Sequence, residues 1–246
     1  YFAGHGRIDA ATGRGYWLPI DADPDDRSTW IPNEALARIF ANVLQLHPEY
    51  FQIRLIGADQ HGLERVRVDR TDSGLLHVTG KALQEKAHYP YVYQTLRLPA
   101  GGVFISRIFI NHETGTHLGG SKPTLQLGTP IHAESGEKVG LVVIDIDLNG
   151  LFASLRADLP RDMNLYLTNR DGDFLIHPDP ANEFGFDRGR RILVQEQYPE
   201  TIPLFQGAVE NHPASNVGLG LHADLPQMPA EPRDHRPLAT RSIAPT

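Results

Sequence analysis

Tyr50-Phe51-Gln52-Ile53-Arg54-Leu55-Ile56, followed by Gly62-Leu63-Glu64-Arg65-Val66-Arg67-Val68-Asp69-Arg70, is the stretch that decides the fold of this chain. Both runs are short, carry β-branched and aromatic residues, and are separated by a segment bounded by Gly57 and Gly62. That pattern predicts two strands, Phe51–Ile56 and Leu63–Arg70, joined by a turn. A period of two puts Glu64, Val66 and Val68 on one face of the second strand and Arg65, Arg67 and Asp69 on the other. Upstream, Leu36, Ile39, Phe40, Val43 and Leu44 recur at helical spacing. They predict a helix with Asn33 as its N-cap and an end near His47 and Pro48. Residues 1–30 are rich in Gly, Asp and Pro without a period, which reads as loop or a cut-short helix end.

Downstream, a helical turn is expected around Leu83–Ala87. Strands follow at Gly102–Asn111, Leu125–Ala133 and Val139–Asp145, with hairpin-like turns at Thr114–Gly115 and Ser135–Gly136. Helix, two strands, a small insert and three strands make an α+β domain with an antiparallel sheet. Asp147 is placed as the cap of a helix Leu148–Arg156. The opening then returns in weaker form: strand Met163–Thr168, turn Asn169–Gly172, strand Asp173–His177. A repeated strand-turn-strand after a helix predicts a tandem pair of related domains. The expected division is an N-terminal loop and helix (1–47), a first module (48–150) and a second (151–246). Pro178–Asp187 reads as loop, and the chain beyond Tyr198 as irregular, with a last strand near Leu238–Ile243.

Composition narrows the chemistry. The chain has 246 residues, 40% apolar and 22% charged, with a formal net charge of −7. An acidic balance argues against nucleic acid and against an anionic membrane surface, both of which call for clustered Lys and Arg. Cysteine is absent, which removes disulfides, thiol nucleophiles and zinc-thiolate sites. The sequence begins at Tyr1, and its most apolar stretch, Val139–Ile144, is interrupted by Asp145. The expectation is a piece of a longer protein whose membrane anchors lie outside it.

Catalytic arrangements are hard to find. The twelve histidines include His112-Glu113-Thr114-Gly115-Thr116-His117, but a spacing of five puts the two rings roughly 140° apart on a helix, and a Thr-Gly turn lies between them. No metal site and no cofactor are expected. Ser106 lacks the Gly-x-Ser-x-Gly elbow of a serine nucleophile. Asp145 and Asp147 could serve acid–base work, but Asp147 has the capping role. Asp145, in phase with Leu141 and Val143, is expected to be partly buried and in need of a cationic partner. Arg54, Arg65, Arg67 and Arg107 all fall within strands. Lys86, Tyr89, Tyr91 and Tyr93 fall in the insert expected to fold over the sheet. Cations and aromatics between sheet and insert have the make-up of a small-molecule pocket, although a solvated sheet face explains the charges equally well.

The ordered set of these motifs resembles the double Cache sensors of bacterial receptors. Besides the two opening runs, it includes Leu83-Gln84-Glu85-Lys86 before a Tyr-rich segment, Val103-Phe104-Ile105-Ser106 with Asn111 and Gly115, and Pro123-Thr124-Leu125 to Thr129-Pro130-Ile131. Gly136, Gly140 and Asp145-Ile146-Asp147-Leu148 continue it, and Asn169-Arg170-Asp171-Gly172-Asp173-Phe174-Leu175-Ile176-His177-Pro178 resembles the opening of the second repeat. The likeness runs from about Ala35 to Phe186. Tyr91-Val92 stands where the family has Tyr-Phe, and Gln126 where it often has Arg. The resemblance implies a long N-terminal helix carrying two tandem PAS-like (Cache) modules. It implies the periplasmic portion of an inner-membrane receptor, most similar to a sensor histidine kinase, which acts as a homodimer. A diguanylate cyclase or a chemoreceptor is the alternative output. The ligand-binding positions carried over are Arg67, Lys86, Tyr91, Ser106 and Asp145. Arg67 and Lys86 would take a carboxylate and Asp145 an amine, so the implied partner is an organic acid or amino acid. A protein-interaction module without a small ligand and a metal-dependent hydrolase are the other readings.

Overall fold

The computed structural model describes residues 4–8, 15–19, 23, 25–26, 28, 30–59, 61–112, 122–133, 135–160, 163–205 and 238–242. Two compact units emerge: residues 1–107 with 111–148, and residues 108–110 with 149–246.

The first unit opens with strands rather than loop or helix. β1 (Gly4–Ile8), β2 (Gly15–Pro19) and β3 (Ile31–Pro32) form an antiparallel sheet in that order. The expectation for residues 1–30 failed because Gly, Asp and Pro punctuate these strands too closely for a period to develop. α1 (Asn33–Leu46) then runs for 14 residues. Asn33 is its first helical residue and not its cap, a position taken by Pro32. The Asn33 side-chain amide donates instead to the Arg65 carbonyl, 3.1 Å away. At the other end, Arg70 donates to the carbonyls of Leu44 and His47, placing a cation on the negative end of the helix dipole.

β4 (Tyr50–Gly57), β5 (Glu64–Thr71), β6 (Gly74–Val78), β7 (Phe104–Ile105), β9 (Pro123–His132) and β10 (Lys138–Asp147) build the main antiparallel sheet. The order is β6-β5-β4-β10-β9-β7. α1 covers one face. Leu36, Ala37, Phe40 and Leu44 are buried against Ile53, Leu55, Val66, Val68 and Ile131. Burying each large side chain there contributes about 1.5–3 kcal/mol. β6 escaped prediction because most of its short run is exposed, leaving little alternation to detect.

The insert covers the opposite face. Leu83–Ala87 is not helical. It runs beside the sheet edge, with the Glu64 backbone N–H donating to the Gln84 carbonyl and the Lys86 backbone N–H to that of Gly62, both at 2.9 Å. The helix of the insert is α2 (Pro90–Thr95), started by a proline in its first turn, where the missing N–H is no loss. Tyr91 and Val92 pack on Ile56, Leu141 and Val143. Gly128 of β9 permits this close approach, since a Cβ there would stand 2.4 Å from the Thr95 hydroxyl. The expected strand Gly102–Asn111 is broken into β7 and β8 (Phe109–Ile110). Between them the Ser106 hydroxyl accepts the Gln126 N–H at 2.9 Å. The Ser135–Gly136 turn is present, with Gly136 at φ 83°, while Thr114–Gly115 and His117 lie outside the described residues.

In the second unit α3 (Asn149–Ala157) buries Phe152, whose ring lies 6.4 Å from that of Phe184. The helix begins two residues after Asp147, which ends β10, so the expected start at Leu148 shifts by one. β11 (Asn164–Thr168) and β12 (Phe174–Ile176) pair antiparallel. Asn169 Oδ1 shapes the turn between them by accepting the N–H groups of Asp171 and Asp173 at 2.9 and 3.0 Å, an Asx-turn. α4 (Val194–Gln197) and α5 (Ile202–Phe205) follow. Tyr166, Phe174 and Val194 form the core with Ile192, Tyr198 and Phe205. β13 (Leu238–Ser242), at the place expected for the last strand, pairs parallel with β11. The irregular segment expected in 206–237 lies outside the described residues.

Candidate functional site

The insert-facing side of the main sheet is built from alternate residues of its strands. β4 contributes Gln52 and Arg54, β5 contributes Arg67 and Asp69, and β10 contributes Asp145, in the register Gln52↔Asp69, Arg54↔Arg67 and Asp145↔Gln52. Glu64 joins them against expectation. Strict alternation assigns it to the Val66 and Val68 face, but the β4–β5 register shifts between Leu55 and Ile56. Arg65 is the extra residue of this bulge, and it restarts the alternation one step late. Arg65 turns outward to Asp59 at 2.7 Å, and Glu64 turns inward.

The result is a buried layer of charge. Arg54, Glu64, Arg67, Asp69, Lys86 and Asp145 are each at most 1% exposed. Arg54 Nη2 donates to both Asp145 oxygens at 3.0 and 2.8 Å, and Nη1 to the Tyr91 hydroxyl at 2.8 Å. Arg67 forms a fork on Asp69, Nε to Oδ1 at 2.9 Å and Nη2 to Oδ2 at 2.7 Å. Gln52 donates to the same Asp69 at 2.7 Å. Glu64 spans the two arginines more loosely, 3.9 Å from Arg54 and 3.5 Å from Arg67. Its other tie is to the insert, where the Gln84 N–H donates to Oε2 at 3.1 Å. Lys86 places its ammonium 5.0 Å from the Tyr89 ring centre, and Tyr89 stacks on Tyr91 at 5.6 Å. Burial pulls the Arg67 guanidinium down, yet the hydrogen bond and charge of Asp69, with Glu64 behind it, outweigh that and raise its pKa above the ordinary arginine value.

Four of the five residues carried over from the resemblance therefore face this layer: Arg67, Lys86, Tyr91 and Asp145. Ser106 does not join them. Its hydroxyl donates to the Arg107 carbonyl at 2.7 Å and accepts the Gln126 N–H, so it is engaged by backbone. Arg54, Glu64, Asp69, Gln52, Gln126 and Thr95 were not among those positions. Arg54 could have been found from its place opposite Arg67, whereas Glu64 depends on the bulge. Several buried polar atoms in this layer make no hydrogen bond: Gln52 Oε1, Glu64 Oε1, Thr95 Oγ1 and Gln126 Nε2. An unmet buried polar atom costs about 1–3 kcal/mol, and natural structures keep few of them. The layer offers acceptors at Gln52 and Glu64, a donor at Gln126 and a hydroxyl at Thr95 that can do either. Among the described residues no group of three or more His, Asp or Glu is arranged to hold a metal ion, and no helix is long and apolar enough to cross a membrane.

A helix-backed antiparallel sheet, a covering insert and a second smaller sheet unit define a sensor domain of the PAS-like, Cache-type class. The chain belongs to the family described as the sensor domain of bacterial histidine kinases, which matches residues 30–208. Solved structures share the fold. A domain of a protein described as sensory box/GGDEF, from Vibrio parahaemolyticus, superposes with a TM-score of 0.56 at 20% identity, covering 74% of this chain and 67% of that one. The extracellular domain of the protein described as histidine kinase vpHK1S-Z8 gives 0.53 at 17% identity, covering 71% of this chain and 63% of that one. No curated protein matches the chain.

Proposed function

We infer that this chain is the extracytoplasmic sensing portion of a transmembrane receptor, with a histidine kinase as its output, and that its first unit holds a small polar metabolite between the main sheet and the insert. The observation that carries the reading is the buried layer itself: six fully buried charges beside polar atoms with unmet hydrogen-bonding capacity. A purely structural sheet gains more from apolar residues at such positions. The ligand is a carboxylate or an amino acid, met by Arg67 and Lys86 at its carboxylate, by Asp145 at any amine, and walled by Tyr91. Binding orders the insert and biases a two-state receptor, which works as a homodimer in the membrane.

The test is a thermal-shift screen of the purified chain against organic acids and amino acids. A ligand at a hundredfold over its Kd adds about 2.7 kcal/mol of stability, and Arg67→Ala abolishes that gain. If no compound stabilises the chain, the ligand reading is wrong. The internal pairing of Arg54 with Asp145 and of Arg67 with Asp69 then favours a module that reads a partner protein instead.

A further inference from the structure

We propose that Glu64 is an internal counter-anion that sets the charge class of the ligand, so that the site accepts small polar molecules without net charge and rejects simple carboxylate anions. This rests on the reading above that a small polar metabolite sits between sheet and insert, and of the two ligand classes named there it keeps the amino acid and excludes the organic acid. The buried layer holds three cations, Arg54, Arg67 and Lys86, and three carboxylates, Glu64, Asp69 and Asp145. It is balanced before any ligand arrives. An added anion has no unmatched cation to meet, and desolvating it inside a neutral layer is costly. A zwitterion, polyol or amide adds no net charge and can satisfy the donors and acceptors left over.

Glu64 differs from the other two carboxylates. Asp69 and Asp145 are gripped by close, forked hydrogen bonds from an arginine, at 2.7–3.1 Å. Glu64 stands at 3.5 and 3.9 Å from its arginines, with Oε1 making no hydrogen bond. It occupies the place between two guanidinium groups where a ligand carboxylate would otherwise sit. Its remaining anchor is the Gln84 N–H of the insert, which an uncharged glutamine oxygen can accept equally well. Glu64→Gln therefore keeps the shape and that hydrogen bond, and leaves the layer with one excess positive charge.

The experiment measures stabilisation of the purified chain by two probe sets at matched ionic strength. One set is uncharged overall (glycine, alanine, glycerol, urea) and the other anionic (acetate, lactate, succinate). The wild-type chain is expected to respond to at least one member of the first set and to none of the second. Glu64→Gln should gain affinity for an anion by about tenfold or more, the scale of one partly screened charge contact, and Glu64→Asp should retain the wild-type preference. If anions stabilise the wild type as well as the uncharged set does, the proposal is overturned while the ligand reading stands. If neither set stabilises wild type or Glu64→Gln, the ligand reading fails with it. Should Glu64→Gln not fold, the ranking of the two sets on the wild type still decides the matter.

Discussion

Removing the Asp145 carboxylate should unfold the first unit more readily than any surface change, and the structure gives the scale. Arg54 is fully buried, and two of its hydrogen bonds, at 3.0 and 2.8 Å, end on Asp145. In Asp145→Ala the guanidinium keeps Tyr91 at 2.8 Å and the looser Glu64 at 3.9 Å, but its principal counter-charge is gone. Breaking a buried pair on one side costs about 3–5 kcal/mol, a large part of the 5–15 kcal/mol typical of a domain. Removing both partners in a paired substitution, Arg54→Met with Asp145→Leu, takes away the buried charge along with its partner, and costs far less than the two single changes added. Both tryptophans, Trp17 and Trp30, lie in the first unit, so urea titration followed by tryptophan fluorescence reports that unit alone. The expected result is a midpoint well below wild type for each single variant and near wild type for the double. A loss below about 1 kcal/mol for Asp145→Ala, or a double variant as unstable as the sum of the singles, would refute the claim that Asp145 is the principal counter-charge of Arg54.

Three further outcomes follow from the same geometry. Gly128→Ala places a methyl 2.4 Å from the Thr95 hydroxyl and should cost about 1–3 kcal/mol by overpacking; Thr95→Ala in the same chain should recover part of it in a melting experiment. Arg191 is half-exposed, but it forks onto the buried Asp173 at 2.6 and 2.9 Å. Arg191→Ala should lower the calorimetric melting temperature of the second unit, because the buried Asp173 carboxylate loses its charged donor, and lysine should restore only part of it because it lacks the fork. Asp26 has its pKa held below the usual 3.8 by hydrogen bonds from the Ser28 hydroxyl and then the Ser28 N–H. A depressed carboxyl stabilises the fold above its unfolded pKa and loses that contribution as pH falls through the folded value. Ser28→Ala should therefore move the Asp26 titration, followed by NMR, upward toward 3.8 without reaching it, since the backbone bond remains.

The fold was legible where periodicity was clean. The helix from Asn33 and the strands at Tyr50–Gly57 and Lys138–Asp147 each repeat an apolar face over several turns or pleats, and motifs of the two strands were among those that carried the resemblance. Segments whose conformation depends on what they touch were not legible. Leu83–Ala87 looks helical by composition, but its backbone hydrogen bonds are taken by the edge of β5. Gly102–Asn111 looks like one strand, yet the Ser106 hydroxyl captures a sheet N–H and ends the ladder. Within the candidate site, Asp145 was placed by its phase and its need for a cation was foreseen, although no pattern in one sequence could match it to Arg54, 91 positions away. Thr95 and Gly128 are visible as neighbours only once helix and sheet are packed.

The extra residue at Arg65 has a consequence for how this sequence can change. Substitutions in β5 alter one contact at a time, but a single-residue deletion in its regularly paired part, Val66 to Asp69, would exchange inside for outside on one side of the cut. Removing Arg65 itself only straightens the bulge: Glu64 then follows Val66 directly, still opposite Ile56, and ordinary alternation keeps it on the insert-facing side. Length is therefore under tighter constraint in that regular part of β5 than at the bulge. A one-residue deletion between Val66 and Asp69 should be far more damaging to folding than the loss of Arg65.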